Sequence, residues 1–188
     1  KLDLRINDKV FIEKGGEIIP KIVSVDYNYR DIFSVPINYI LNCPECNSLL
    51  VRNEGDAKHY CLNQLFCPIQ IQNRFEHFIS KKAMNVEGFG PETISLLLLN
   101  NKIEKISDLY NLNIEDLLPF KKDGNKWAEN IINGLEKSKN IPFEKVLFSI
   151  GIRHVGETVS LKLCKYYKSI DNLISANYDD LIDVNEIG

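Results

Sequence analysis

The 188-residue chain has no surplus of basic charge: 23 lysines and arginines stand against 26 acids, for a formal charge of −3. That excludes the usual electrostatic footprint of a nucleic-acid-binding domain, a strongly basic surface with a pI above about 9. Any polyanion would have to be held by local devices. Long hydrophobic runs are also missing, and a bilayer-spanning helix needs about 20 such residues. The opening Lys1-Leu2-Asp3-Leu4-Arg5 has neither the apolar core nor the small-residue cleavage site of a secretory signal. The expected location is therefore cytoplasmic, with no membrane partner. The chain opens without Met, inside an alternating apolar pattern, and stops at Gly188 where a further helix is expected, so it reads as an excised piece.

Acidity is concentrated at the tail: Asp171, Asp179, Asp180, Asp183 and Glu186 lie in the last 18 residues, and everything before them carries +2. From Leu4 to Val25 apolar residues alternate, with Gly15-Gly16 predicting a two-residue hairpin turn. Pro20 predicts an interruption, bulge or edge in the second strand. Residues 34–80 show little periodicity and are rich in Asn and Pro. Beyond Ser80 the pattern becomes helical, which places a domain boundary near 80.

Four of the five cysteines form the spacing C-x2-C-x14-C-x5-C through Cys43, Cys46, Cys61 and Cys67. Four thiolates satisfy a tetrahedral zinc ion and leave no open position, so the site should be structural. Two disulfides, with three possible pairings, are the alternative, and an intracellular chain disfavours them. His59 could replace one ligand, though a solvated loop position suits it as well. Cys164, in a helical segment, reads as a small buried hydrophobe, and Trp127 as a core residue. Zinc with four thiolates adds two negative charges, taking the chain to about −5.

Glycine recurs at Gly90, Gly124, Gly156 and Gly188, spaced by 34, 32 and 32 residues. An apolar residue stands four positions before each (Val86, Phe120, Ile152, Val184) and another seven after the first three (Leu97, Ile131, Leu163). Each unit reads as helix, tight glycine turn, helix. Gly88 and Gly90 permit unusual backbone angles, and Pro91 suits the first position of a helix. Amides at such a turn can hold a phosphate without reading base identity. Gly151, Arg153 and Gly156 form the third unit, with Arg153 beside the phosphate position. The second unit departs, with Asp123 where the others place Phe89, Val155 or Ile187. Glycines that merely cap helices of an all-α bundle are the plainer alternative. A tetratricopeptide array shares the period, but its residue pattern is missing.

Strand hairpin, cysteine cluster and glycine hairpins follow one another as in the C-terminal half of bacterial NAD-dependent DNA ligases. The chain resembles that family along essentially its whole length. The resemblance is carried by Leu4-Arg5-Ile6-Asn7-Asp8, Gly16 to Lys21, the cysteine spacing, Phe78 to Gly90, and Gly151 to Gly156. It implies a mainly α, multidomain architecture: 1–33 the C-terminal part of an OB-fold, 34–80 a four-cysteine zinc finger, and 81–188 a helix-hairpin-helix domain of three hairpins and a truncated fourth. It further implies nicked double-stranded DNA as partner, contacted by Lys14, Ile18 and Ile19 in the minor groove and by Gly88, Gly90, Gly124, Gly151, Arg153, Gly156 and Gly188 at the hairpins. Lys14 stands where relatives usually carry Arg, keeping charge but losing the guanidinium fork. The family's adenylation motif, Lys-x-Asp-Gly, has no counterpart here, since Lys122-Asp123-Gly124 has the wrong spacing. NAD and Mg²⁺ are thus expected outside this chain, the chain alone is expected to be catalytically inactive, and a monomer near the nucleoid is expected. A zinc-plus-hairpin module of a repair nuclease or helicase is the alternative, but it does not require the strand hairpin. A purely structural interaction domain is a third reading and predicts no affinity for duplex DNA.

Overall fold

A computed structural model describes residues 2–16 and 19–184. The chain divides into two compact units, Lys1–Leu62 and Asn63–Gly188.

In the first unit, β1 (Val10–Gly15) and β2 (Ile19–Val25) form an antiparallel hairpin. Gly15 pairs with Ile19, so the connection comprises three residues, 16–18, where the sequence suggested a two-residue turn. Of the glycine pair only Gly16 takes a positive φ, 73°. Pro20 lies within the pairing, opposite Lys14, on what is an edge strand of a two-stranded sheet. The register shift falls instead between Phe11 and Ile12, opposite Val23. Proline thus sits where no ladder N–H is needed, and the extra twist is taken up elsewhere. Phe11, Ile12 and Ile19 are exposed, so the hairpin alone encloses no core.

An ion-pair clasp holds the start of the chain. Arg30 donates from Nε and a terminal nitrogen to the two Asp8 oxygens (3.0 and 2.7 Å) and to Asp3 Oδ2 (2.7 Å). These bonds hold both carboxyls below the usual aspartate range. Arg5 donates to the Ser34 carbonyl at 2.8 Å and bridges Pro36. The unit ends in two minimal paired strands, β3 (Leu50–Val51) and β4 (Tyr60–Cys61).

The second unit is helical. It opens with α1 (Pro68–Ile79), which begins well before the boundary read near 80. Pro68 is at N1, and Ile71, Phe75, Phe78 and Ile79 make an i, i+4, i+7, i+8 stripe that packs into the helical core. Its outer face is asparagine, glutamine and charge, which is why the segment reads as loop in sequence. Then come α2 (Pro91–Leu99), α3 (Ile114–Leu117), α4 (Asn125–Ser138), α5 (Phe143–Ser149), α6 (Glu157–Tyr167), α7 (Ile170–Ser175) and α8 (Tyr178–Ile182). Short 3₁₀ turns cover Ile106–Asn111 and Leu118–Phe120.

The main core gathers Phe75, Ile94, Leu97, Leu109, Leu117 and Ile131, each worth about 1.5–3 kcal/mol on burial. The three apolar residues that follow the repeat glycines, Leu97, Ile131 and Leu163, are all buried, as are Val86 and Val184 before them. Ile152 differs, being 48% exposed. Trp127 packs against this core and carries the Lys121 ammonium 5.3 Å from its ring centre. Cys164 lies in a second cluster with Leu147, Leu163, Tyr167 and Val184. Burial pushes its thiol pKa up, and Glu144 adds to the effect, which suits an inert packing role.

Candidate metal centre and nucleic-acid interface

The Cys43–Cys46 turn is shaped by its own backbone. The Asn47 N–H donates to the Cys43 carbonyl (2.9 Å), the Cys43 N–H donates to Ser48 (2.8 Å), and Asn47 takes φ 56° to close the loop. Cys61 ends β4, and Cys67 is the N-cap of α1, where the helix dipole favours a thiolate.

The four Sγ atoms all lie within 4.8 Å of one another, and Cys46 and Cys61 are 3.5 Å apart. Tetrahedral zinc with bonds of about 2.3 Å needs sulfurs about 3.8 Å apart, so the cage has the right size. None of the five cysteines is disulfide-bonded. The donor set and its spacing fit a closed, structural zinc ion, with two of the four cysteines buried. His59 is not in the cluster, and its ring packs on Tyr39 with centroids 4.8 Å apart.

The glycine turns show a backbone script that the residue types conceal. In the first, positive φ occurs five and two residues before Gly90, at Asn85 (50°) and Gly88 (76°). In the third, the same two offsets from Gly156 are filled by Gly151 (73°) and His154 (69°). Both then end in an extended glycine N-cap, with φ/ψ of −108/174° at Gly90 and −83/−177° at Gly156. The second turn is different: Pro119 occupies the first offset, Asp123 (55°) carries the only positive φ, and Gly124 is at −84/8°.

Neither Gly90 nor Gly156 needs to be glycine for its own backbone or packing. Their φ values suit any residue, and a Cβ added to either would meet nothing within 4 Å. At Gly124 the added Cβ would come 2.7 Å from the Lys121 carbonyl oxygen. Three helices are capped by side chains: Asn113, Ser169 and Asn177 each accept from a first-turn amide of α3, α7 and α8, whereas α1, α4 and α5 have no such cap. At α2 and α6 no side chain does so, which leaves the first-turn N–H groups facing outward.

Among the other residues singled out by sequence, Lys14 and Ile19 are exposed beside the β-hairpin connection. Arg153 is exposed on the third turn. Ile18 and Gly188 lie outside the described residues. Sequence reasoning missed Lys82, whose ammonium lies 3.7 Å from Glu157 in the first turn of α6. Both side chains are largely exposed, so the pair adds little to stability but sets a cation beside a carboxylate there. No spacing rule could have found it, because the pair is 75 residues apart in sequence.

The class defined by these features is a four-cysteine zinc finger followed by helix-hairpin-helix repeats. Residues 42–68 match the NAD-dependent DNA ligase C4 zinc finger domain, and residues 145–188 match the helix-hairpin-helix motif. The whole chain is also similar to proteins named DNA ligase: 55% identical to that of Christiangramia forsetii, 56% to that of Flavobacterium johnsoniae and 53% to that of Flavobacterium psychrophilum. Each match takes in all 188 residues, and the chain spans 28% of the length of these relatives. The similarity therefore runs through the segment ahead of the cysteines, the zinc-finger segment and the helix-hairpin-helix segment alike. The nuclease or helicase alternative does not account for similarity that begins ahead of the cysteines. No helix among the described residues is long and apolar enough to cross a membrane.

Proposed function

We propose that this chain is the DNA-gripping region of an NAD-dependent DNA ligase, holding the sugar-phosphate backbone of nicked duplex DNA through main-chain amides at its first and third glycine turns. The observation that carries this reading is the pair of extended glycine N-caps on α2 and α6, which have no side-chain cap and where an added Cβ would meet nothing within 4 Å. A phosphate oxygen can take the place that a capping hydroxyl or amide would occupy, and the helix dipole favours its charge. Such binding tolerates a net-acidic chain.

In this reading residues 1–33 complete an OB-fold, 34–80 form the zinc finger, and 81–188 form the hairpin domain. The exposed Lys14 and Ile19, with Ile18, reach the minor groove near the nick. The whole protein moves an adenylyl group from NAD to a lysine, then to the nick 5′-phosphate, and seals the nick by 3′-hydroxyl attack. NAD and Mg²⁺ belong to parts of that protein outside this chain, which works as a monomer at the nucleoid in the cytoplasm.

Fluorescence anisotropy with nicked and intact duplexes of mixed sequence tests the proposal. Modest affinity, little base preference and a shallow salt dependence are expected. No binding even in dilute buffer would overturn it. Incubation with NAD should leave the chain unadenylated.

A further inference from the structure

The polar face of α1 has so far had no role. Gln70, Asn73, Arg74 and His77 recur at helical spacing along it and line a cleft of about 330 Å³, with Gly151 and Arg153 of the third turn on the other side. Three larger clefts of the same unit each include at least one glutamate. Among its described lining residues are two guanidiniums and no carboxylate.

Its walls are fixed. The Arg74 guanidinium donates to the Gln64 carbonyl at 2.8 Å, which ties it to the loop that leads into Cys67. His77 Nε2 donates to the Phe148 carbonyl at 2.9 Å, and its ring meets Phe148 edge-on. Gly151 closes onto that imidazole, where a Cβ would lie 3.3 Å from His77 Cδ2. The third turn is thereby seated on α1, and Arg153 is held over the same cleft as Arg74.

We infer that this cleft is a further phosphate-binding site for the backbone of duplex DNA, with Arg74 and Arg153 as its cations and the Asn73 amide as a neighbouring donor. The inference rests on the DNA-binding reading above and extends it to a helix outside the glycine turns. Two guanidiniums offer planar, charge-assisted N–H donors that suit phosphate oxygens. Adjacent to the third turn, the site would engage a phosphate neighbouring the one held by the α6 amides.

The test uses the full zinc-loaded chain, titrated against a labelled nicked duplex at several salt concentrations. Each phosphate contact contributes about 0.9 to the slope of log affinity against log salt. Arg74→Ala should weaken binding and flatten the slope by about that amount, while Arg74→Lys retains it. Asn73→Lys, on an exposed position, should tighten binding and steepen the slope by a similar amount. An Asn73→Lys protein with unchanged slope overturns the inference even if Arg74→Ala fails to fold. So does Arg74→Ala binding with the wild-type slope, in which case the hairpin reading survives. If the wild-type chain itself does not bind, both fall together.

Discussion

The first and third glycine turns and the second turn occupy the same place in one repeat but are built for different ends. Gly90 and Gly156 are extended, unobstructed N-caps preceded by positive φ at matching offsets. Gly124 has a different backbone and is packed against the Lys121 carbonyl. The second hairpin is braced by side chains instead. Asn113 and Asp116 exchange N–H bonds of 3.0 and 3.2 Å across α3, and Lys102 pairs with Asp116 at 2.8 Å. A glycine repeat in sequence therefore joins two physical requirements, an open approach for something outside the chain and close packing within it.

Replacing Gly90 and Gly156 together by serine should separate these requirements most sharply. Serine is a better N-cap than glycine by a few tenths of a kcal/mol, so thermal stability should hold or rise slightly. Its hydroxyl would then occupy the amides offered to phosphate, and duplex affinity should fall by about tenfold or more, roughly 1.4 kcal/mol. Stability and affinity moving down together would show that these glycines serve the fold. Gly124→Ala should do the reverse: its Cβ meets backbone, so about 1–3 kcal/mol of stability is lost in chemical denaturation, with duplex affinity unchanged for the fraction that folds.

Much of this was legible in the sequence, for identifiable reasons. The cysteine spacing announces the cage because zinc geometry leaves few alternatives. The repeat glycines and the buried Leu97, Ile131 and Leu163 follow from helical period. What stayed hidden was conformation set by neighbours. Asn85 and His154 adopt the left-handed backbone that glycine supplies at Gly88 and Gly151, so half of the shared script has no residue signature. Helix α1 was hidden too, because its N-cap is a metal-ligand cysteine and its outer face is amide-rich. With α1 went Arg74, and the cleft it shares with Arg153 is made only by folding.

Smaller effects sharpen the contrast further. Asp116→Asn removes the ion pair with Lys102, an exposed contact worth about 0.5 kcal/mol, and should leave duplex affinity untouched. The Lys102 ammonium, with help from the Asn113 N–H, holds the Asp116 carboxyl below its ordinary value of 3.8. A depressed folded-state pKa means the contribution is complete above the unfolded value and is lost as pH falls through the folded one. The stability gap between wild type and Asp116→Asn should therefore be present at neutral pH and close as pH falls below the ordinary carboxylate value of 3.8 and through the lowered folded one, as read in urea titrations.

The finest test lies at His154, where a non-glycine residue holds φ 69° in the third turn. Glycine there would relieve about 1 kcal/mol of left-handed strain but would add a similar entropy cost in the unfolded chain. The two nearly cancel, so His154→Gly should shift stability by less than about 0.5 kcal/mol and keep duplex affinity. His154→Val, β-branched and poorly tolerated at positive φ, should lose both. Lys122 stands at the same offset before Gly124 but does not take a positive φ. Glycine at that position therefore gains no strain relief and should cost stability outright. A His154→Gly protein that loses affinity at unchanged stability would show that the imidazole itself touches DNA, and that the third turn grips with more than its main chain.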